Sequence, residues 1–196
     1  MKQGFVKVAS ATPRIRVADP VYNAQVICEQ AKEAAEHGAK IVVFPELCIT
    51  GYTCNDLFLQ ELLLEKAKEA LLTIAEETGQ LETLFLVGLP VDKDGRLYNV
   101  AAVLYRGRIL GMIPKKNIPM YAEFYEGRHF TPGEETVTEY RLGKQVIPFG
   151  SNLLFRCEEL PELVLGCELC EDLWVAEPPS TSHAPVSYTH LRATRL

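Results

Sequence analysis

Apolar residues along this chain fall into two patterns. Short continuous runs at FVKVA (5–9), Ile41 to Phe44, LFLVGLP (84–90), LYNVAAVLY (97–105) and RILGMI (108–113) predict strands. The run from Ile41 to Phe44 fits a strand buried on both faces, and Pro45 stops it just before Glu46. Between the first two runs the period changes to that of a helix. Asp19 stands as N-cap and Pro20 takes the first helical position. Ala24, Ile27, Cys28, Ala31, Ala34 and Ala35 then form one apolar face before Gly38. A second helix is predicted from Asp56 to Thr78, with Asn55 as its cap and Gly79 past its end. Asp94-Gly95 and Arg106-Gly107 mark two hairpin turns. This order of elements predicts a mixed sheet with helices on one face.

From Pro114 to Gly150 the periodicity fades into Pro, Gly and charged residues, apart from the aromatic cluster Tyr121, Phe124, Tyr125 and Phe130. A loop of that length in a compact domain is more often functional than idle. Order returns at Asn152 to Phe155 and at Leu163 to Cys170, the second run carrying Cys170 at its end.

Composition narrows the class. The chain has 196 residues, 47% of them apolar, which suits one domain with a sizeable core. No apolar run is long enough for a signal peptide or a membrane span, so a cytoplasmic protein with no membrane partner is expected. A formal charge of −6 with scattered Lys and Arg argues against a nucleic-acid partner. The six cysteines then read as reduced thiols rather than a disulfide set. Cys167 and Cys170 have CxxC spacing, but no second CxxC or HxxxH completes a tetrahedral site, and no metal is expected.

Three reactive side chains stand at or beside the ends of apolar runs, where α/β proteins place their sites: Glu46, Lys115 and Cys170. Taken singly, each has an ordinary explanation as a loop carboxylate, a surface charge or a small buried hydrophobe. Taken together they supply a sulfur nucleophile, a carboxylate to accept its proton and an ammonium to hold an oxyanion. Glu171 and Asp172, which follow Cys170, would raise its thiol pKa, so an unassisted thiol would be sluggish and a nearby general base is needed. Histidine is the usual alternative base. Of the four present, His129 is the plausible one, which leaves a Cys170/His129 dyad open.

The segments FPELCITGYTCNDLF, PKKNIPMYAEFYEGRHF and CELCEDLWVAEPPS resemble, in order, the glutamate, lysine and nucleophile segments of the nitrilase superfamily. Within it they resemble most the glutaminase domains of glutamine-dependent NAD+ synthetases. The resemblance implies an α/β fold, the nitrilase-like αββα sandwich, here incomplete at the C-terminus. It implies Glu46 as general base, Lys115 as oxyanion support and Cys170 as nucleophile. Lys115 is preferred to Lys116 because the family's lysine directly follows the proline. Tyr121 and Glu171 match positions that contact glutamine; Tyr52, Phe124 and Glu126 match pocket-lining or supporting positions. Met120 and Cys167 depart from the pattern without touching the three reactive residues.

The implied function is hydrolysis of the glutamine amide, supplying ammonia for ATP-dependent amidation of deamido-NAD+ to NAD+. The glutaminase step needs no cofactor; ATP and Mg2+ belong to a C-terminal synthetase domain, and a homo-oligomer is expected of the full-length enzyme. A stand-alone nitrilase-type amidohydrolase and an inactive binding-only fragment are the competing expectations. The resemblance covers residues 1–184, read as a partial glutaminase domain. The tail VSYTHLRATRL is polar, basic and unpatterned, so residues 185–196 are read as a non-native tail. The family's Ser and Arg that grip glutamine beyond the cysteine and any GxxxxGK[ST] phosphate loop are absent from the sequence, so the chain is expected to be a fragment inactive alone and unable to make NAD+.

Overall fold

The computed structural model describes residues 5–186 and 189–190. Its strands are β1 (Val8–Ser10), β2 (Ile41–Val43), β3 (Leu84–Lys93), β4 (Arg96–Tyr105), β5 (Arg108–Pro114), β6 (Thr138–Leu142), β7 (Gln145–Phe149), β8 (Phe155–Arg156), β9 (Val164–Gly166) and β10 (Thr189–His190). The helices are α1 (Pro20–Glu36), α2 (Glu61–Glu77) and the short α3 (Pro179–His183). The first seven strands form a mixed sheet ordered β1-β2-β3-β4-β5-β7-β6, and β10-β9-β8 form a second, smaller sheet.

Strand alternation explains the layers. Val42, Phe44, Val87, Leu89, Val100, Ala102 and Met112 point to one face of the large sheet. There they pack with Ala24, Ile27 and Ala31 of α1 and Ala67, Leu71 and Ile74 of α2. Their neighbours Ile41, Val43, Leu86, Ala101, Val103 and Ile113 point to the other face and pack with Leu165, Cys167 and Leu169 of the second sheet and the segment after it. Both faces are therefore covered, which is why these strands read as unbroken apolar runs. The result is a helix layer, a large sheet and a small sheet, consistent with the expected sandwich.

The punctuation of α1 holds: Asp19 Oδ1 accepts the Tyr22 N–H at 3.1 Å and Pro20 opens the helix. The predicted start of the second helix does not. Tyr52–Leu59 is an irregular 3-10 stretch in which Asn55 takes φ 50°, and the α-helix begins only at Glu61. The left-handed backbone at Asn55 breaks the helical path. It lets Cys54 and Phe58 bury against Leu47, Leu63 and Phe130.

The segment from Pro114 to Gly150 is not one loop, because β6 and β7 form a hairpin within it. Tyr140, Leu142, Ile147 and Phe149 are its buried positions, alternating with exposed ones. Near the ends, β1 begins at Val8 rather than Phe5, and β9 stops at Gly166, short of Cys170. The tail expected over 185–196 lies partly outside the described residues; of its described part, Thr189–His190 lies parallel to β9 and residues 185–186 end a 3-10 turn.

Candidate active site

Glu46 follows β2 at a turn closed by local geometry. Pro45 ends the strand run, Leu47 takes φ 53°, and Ile49 N donates to Gly88 O at 3.1 Å on the neighbouring strand. The Glu46 side chain is thereby buried. Its Oε1 accepts from Asn99 Nδ2 at 2.6 Å and from Lys115 Nζ at 2.7 Å. Its Oε2 is buried and accepts no hydrogen bond among the described residues.

Lys115 follows Pro114 at the end of β5. Its N–H donates to Asn99 O at 2.8 Å, and its carbonyl accepts from Gly133 N at 2.7 Å, so the main chain is held on both sides. The side chain is wholly buried. Besides Glu46, its ammonium donates to both oxygens of Glu126, at 2.7 and 2.8 Å. Burial works to lower the Lys115 pKa, but the charges of Glu46 and Glu126 outweigh it and hold the ammonium above its ordinary value. Glu126 sits on a short 3-10 turn, Glu126–Arg128, and also accepts from Tyr52 OH at 2.8 Å. Burial and the Glu46 charge push the Glu126 carboxyl up.

Cys170 opens the 3-10 turn Cys170–Leu173 with φ 43°, a left-handed conformation that is uncommon for a residue with a side chain. Its half-buried thiol lies within electrostatic reach of Glu46, Lys115, Glu126 and Glu171. Burial and the Glu46 charge raise the thiol pKa, the Lys115 ammonium opposes them, and Glu126 and Glu171 add smaller upward pushes. The thiol thus rests protonated at neutral pH and needs a base to ionise it. Glu171, expected from the sequence to suppress the thiolate, has only a minor part in this. Asp172 serves another purpose: it is buried and accepts from Leu169 N at 3.1 Å, Lys116 N at 3.1 Å, Asn117 N at 2.7 Å and Asn117 Nδ2 at 2.9 Å. Asp172 therefore ties the turn of Cys170 to the chain just after Lys115.

The remaining expected residues divide between two places. Tyr52 belongs to the buried network through Glu126. Tyr121, more than half exposed, donates to Glu171 Oε2 at 2.8 Å and packs edge-on to Phe124, with ring centroids 5.5 Å apart. His129, the alternative base, is engaged elsewhere: its Nε2 lies 3.1 Å from Asp56 Oδ1 and its ring packs edge-on to Phe58 and Phe130. Lys116 pairs with Glu135. Asn99 and the bracing role of Asp172 were not foreseen in the sequence. An amide in the middle of the apolar run LYNVAAVLY was the available signal for Asn99. Among the described residues, no group of three or more His, Cys, Asp or Glu is arranged to hold a metal ion.

This arrangement can run a nucleophilic substitution. It has a thiol that must lose its proton, a buried carboxylate with one oxygen unpartnered among the described residues, and a cation held against that carboxylate within electrostatic reach of the thiol.

Comparison with known proteins identifies the family. The family model for carbon-nitrogen hydrolases matches residues 7–184. The chain is 40% identical over 97% of its length to a glutamine-dependent NAD(+) synthetase of Mycobacterium tuberculosis, and 34% identical over 89% to one of Xylella fastidiosa. It spans only 28% and 29% of those relatives. A crystal structure of a glutamine-dependent NAD(+) synthetase from Cytophaga hutchinsonii superposes with a TM-score of 0.85 at 27% identity, covering 97% of this chain and 30% of that one. An amidase from Nesterenkonia sp. shares the fold, with a TM-score of 0.66 at 22% identity, over 97% of this chain and 65% of that one.

Proposed function

The chain belongs to the carbon-nitrogen hydrolase family, and on that premise we propose that it is the glutamine-hydrolysing part of a glutamine-dependent NAD+ synthetase. The observation that carries the reading is the buried contact of Glu46 and Glu126 with one ammonium, Lys115, within electrostatic reach of the half-buried thiol of Cys170. The likeness to synthetases over nearly the whole chain supports the choice of glutamine as substrate.

In this reaction Glu46 takes the thiol proton as Cys170 Sγ attacks the side-chain amide carbon of glutamine. The carbonyl π pair moves to oxygen. The resulting oxyanion is held by Lys115 Nζ and a backbone N–H near Glu171. Because the Lys115 ammonium already contacts Glu46 Oε1 and both oxygens of Glu126, the oxyanion takes over part of what Glu126 holds at rest. Glu46 then gives the proton to the amide nitrogen, the C–N bond breaks, and ammonia leaves a thioester on Cys170. Water attacks the thioester as Glu46 accepts its proton; the C–S bond breaks, releasing glutamate, and the thiol is reprotonated. Tyr121 and Glu171 line the substrate's approach, with Phe124, Tyr52 and Glu126 supporting the pocket. The ammonia feeds an ATP- and Mg2+-dependent amidation of deamido-NAD+ in a further synthetase domain.

The test is formation of ammonia and glutamate from glutamine by the full-length enzyme, wild type and Cys170→Ala. A loss on the order of 1,000-fold or more is expected; undiminished activity in the variant rejects the assignment.

A further inference from the structure

We infer that Asn99 is a positioning residue that divides the work of the Glu46 carboxylate: it helps to hold Oε1 in place, so that Oε2 is the atom that takes the proton from Cys170. The inference rests on the reading of Glu46 as the base. It goes further by naming the reacting oxygen and the residue that selects it.

Asn99 lies within β4, wholly buried, between Tyr98 and Val100. Its Nδ2 donates to Glu46 Oε1 at 2.6 Å, and Lys115 Nζ donates to the same oxygen at 2.7 Å. A carboxylate oxygen has two lone pairs in the carboxylate plane, so Oε1 is fully engaged. Oε2 is as deeply buried and accepts nothing among the described residues. An unpartnered buried carboxylate oxygen costs free energy, and it persists only where something else requires it. A proton acceptor on a carboxylate within electrostatic reach of the Cys170 thiol is such a requirement.

The terminal torsion of a glutamate is soft, so one donor from Lys115 would not fix it. Without Asn99 the carboxylate can turn both oxygens toward the ammonium, and the unoccupied acceptor is lost. Asn99 is well placed to prevent this, because its carbonyl also accepts the Lys115 N–H at 2.8 Å. One residue thus sets the main chain under the cation and the rotation of the carboxylate opposite it. A purely structural role explains the residue less well. Among the described residues Asn99 Oδ1 is itself buried without a hydrogen-bond partner, so the amide is a poor choice for stability alone.

The test measures alkylation of Cys170 by iodoacetamide, located by mass spectrometry, in wild type, Glu46→Gln, Asn99→Leu and the double variant. Asn99→Leu is expected to slow alkylation about 10-fold with little change in the denaturation midpoint. Glu46→Gln slows it further. The double variant is expected to react no more slowly than Glu46→Gln, because a residue acting through Glu46 has nothing to position once that carboxylate is gone. In glutamine hydrolysis, kcat falls in Asn99→Leu while KM stays within about twofold.

A wild-type alkylation rate in Asn99→Leu, or multiplied losses in the double variant, overturns the inference. If Asn99→Leu does not fold, Asn99→Ala removes the donor without adding bulk or charge, and a wild-type rate there is equally fatal. The function reading fails separately, when Cys170→Ala still hydrolyses glutamine or when Glu46→Gln alkylates as fast as wild type.

Discussion

Gly88 on β3 has no room for a side chain, because a Cβ there would lie 2.4 Å from the amide nitrogen of Leu47 and 2.9 Å from the carbonyl carbon of Glu46. The turn carrying the carboxylate is thus laid directly on the strand. Gly88→Ala must push that backbone away. It is expected to cost about 1–3 kcal/mol of stability and to lower glutamine hydrolysis at least about 10-fold. Gly95→Ala is the control: it meets open space at φ 74°, so it should cost about 1–2 kcal/mol and leave hydrolysis unchanged. Urea unfolding and the ammonia assay together check both.

Lys115 is the cation shared by two buried carboxylates. Lys115→Met leaves Glu46 and Glu126 facing each other without it, and a loss of about 3–5 kcal/mol is expected on urea unfolding at neutral pH. Glu126→Gln keeps an acceptor for Lys115 and removes one of the two negative charges, so its loss should be clearly smaller.

The thiols should separate by reactivity. Burial pushes Cys48 and Cys167 up to about 12 and Cys28 to about 11, while Cys170 and Cys157 are only partly covered. Iodoacetamide at neutral pH is expected to modify Cys170 first and Cys157 next, with Cys48 and Cys167 reacting only after denaturation. Mass spectrometry over a time course reads the order. Glu46→Gln should drop Cys170 behind Cys157.

Asp56 gives a pH signature. Its hydrogen bonds from Arg128 and then from His129 hold its carboxyl down at about 2, against an ordinary 3.8. A depressed carboxyl contributes stability that is fully present above its unfolded value and is lost as pH falls through its folded one. The wild type should therefore exceed Asp56→Asn in stability by a constant margin above about pH 4, and the margin should shrink between that pH and about 2. Denaturant midpoints from pH 2 to 6 check this. An unchanged margin at the acid end would show that the clasp between the 52–59 segment and the turn of Glu126 contributes nothing.

What was legible in the sequence depended on how strongly burial marks a segment. Ile41 to Phe44 and Val100 to Leu104 face two cores at once, so their apolar runs announce strands without reference to anything distant. The β6–β7 hairpin exposes one face and places only Tyr140, Leu142, Ile147 and Phe149 inward, a signal submerged among charged neighbours. The start of α2 was misplaced because Asn55 and Asp56 resemble a cap. In the fold Asn55 adopts positive φ and Asp56 is drawn to Arg128. For the site, the sequence placed Glu46 and Lys115 each just past a strand, and the structure, with β3 and β4 lying between those strands, brings their charged groups to 2.7 Å. The family likeness gave Glu126 only as a pocket-lining or supporting position; its contact with Lys115 is visible in the fold alone. An amide inside an apolar run was the only sequence mark of Asn99. The partners that give Asn99 and Asp172 their roles, Glu46 and Asn117, are distant in the chain, which neither spacing nor composition encodes.

The two sheets differ greatly in how firmly they are sewn. β3 and β4 pair from Phe85 with Leu104 to Lys93 with Arg96, whereas β9 meets β8 only through Leu165 with Phe155 and Val164 with Arg156. Among the described residues, the carboxylate and the ammonium therefore stand against long-paired strands, and the sulfur follows a strand with short pairing. Asp172 is the strap between them. Amide exchange should run faster at Leu165 than at Val87 or Val103, so thermal motion reaches the nucleophile before it reaches the base.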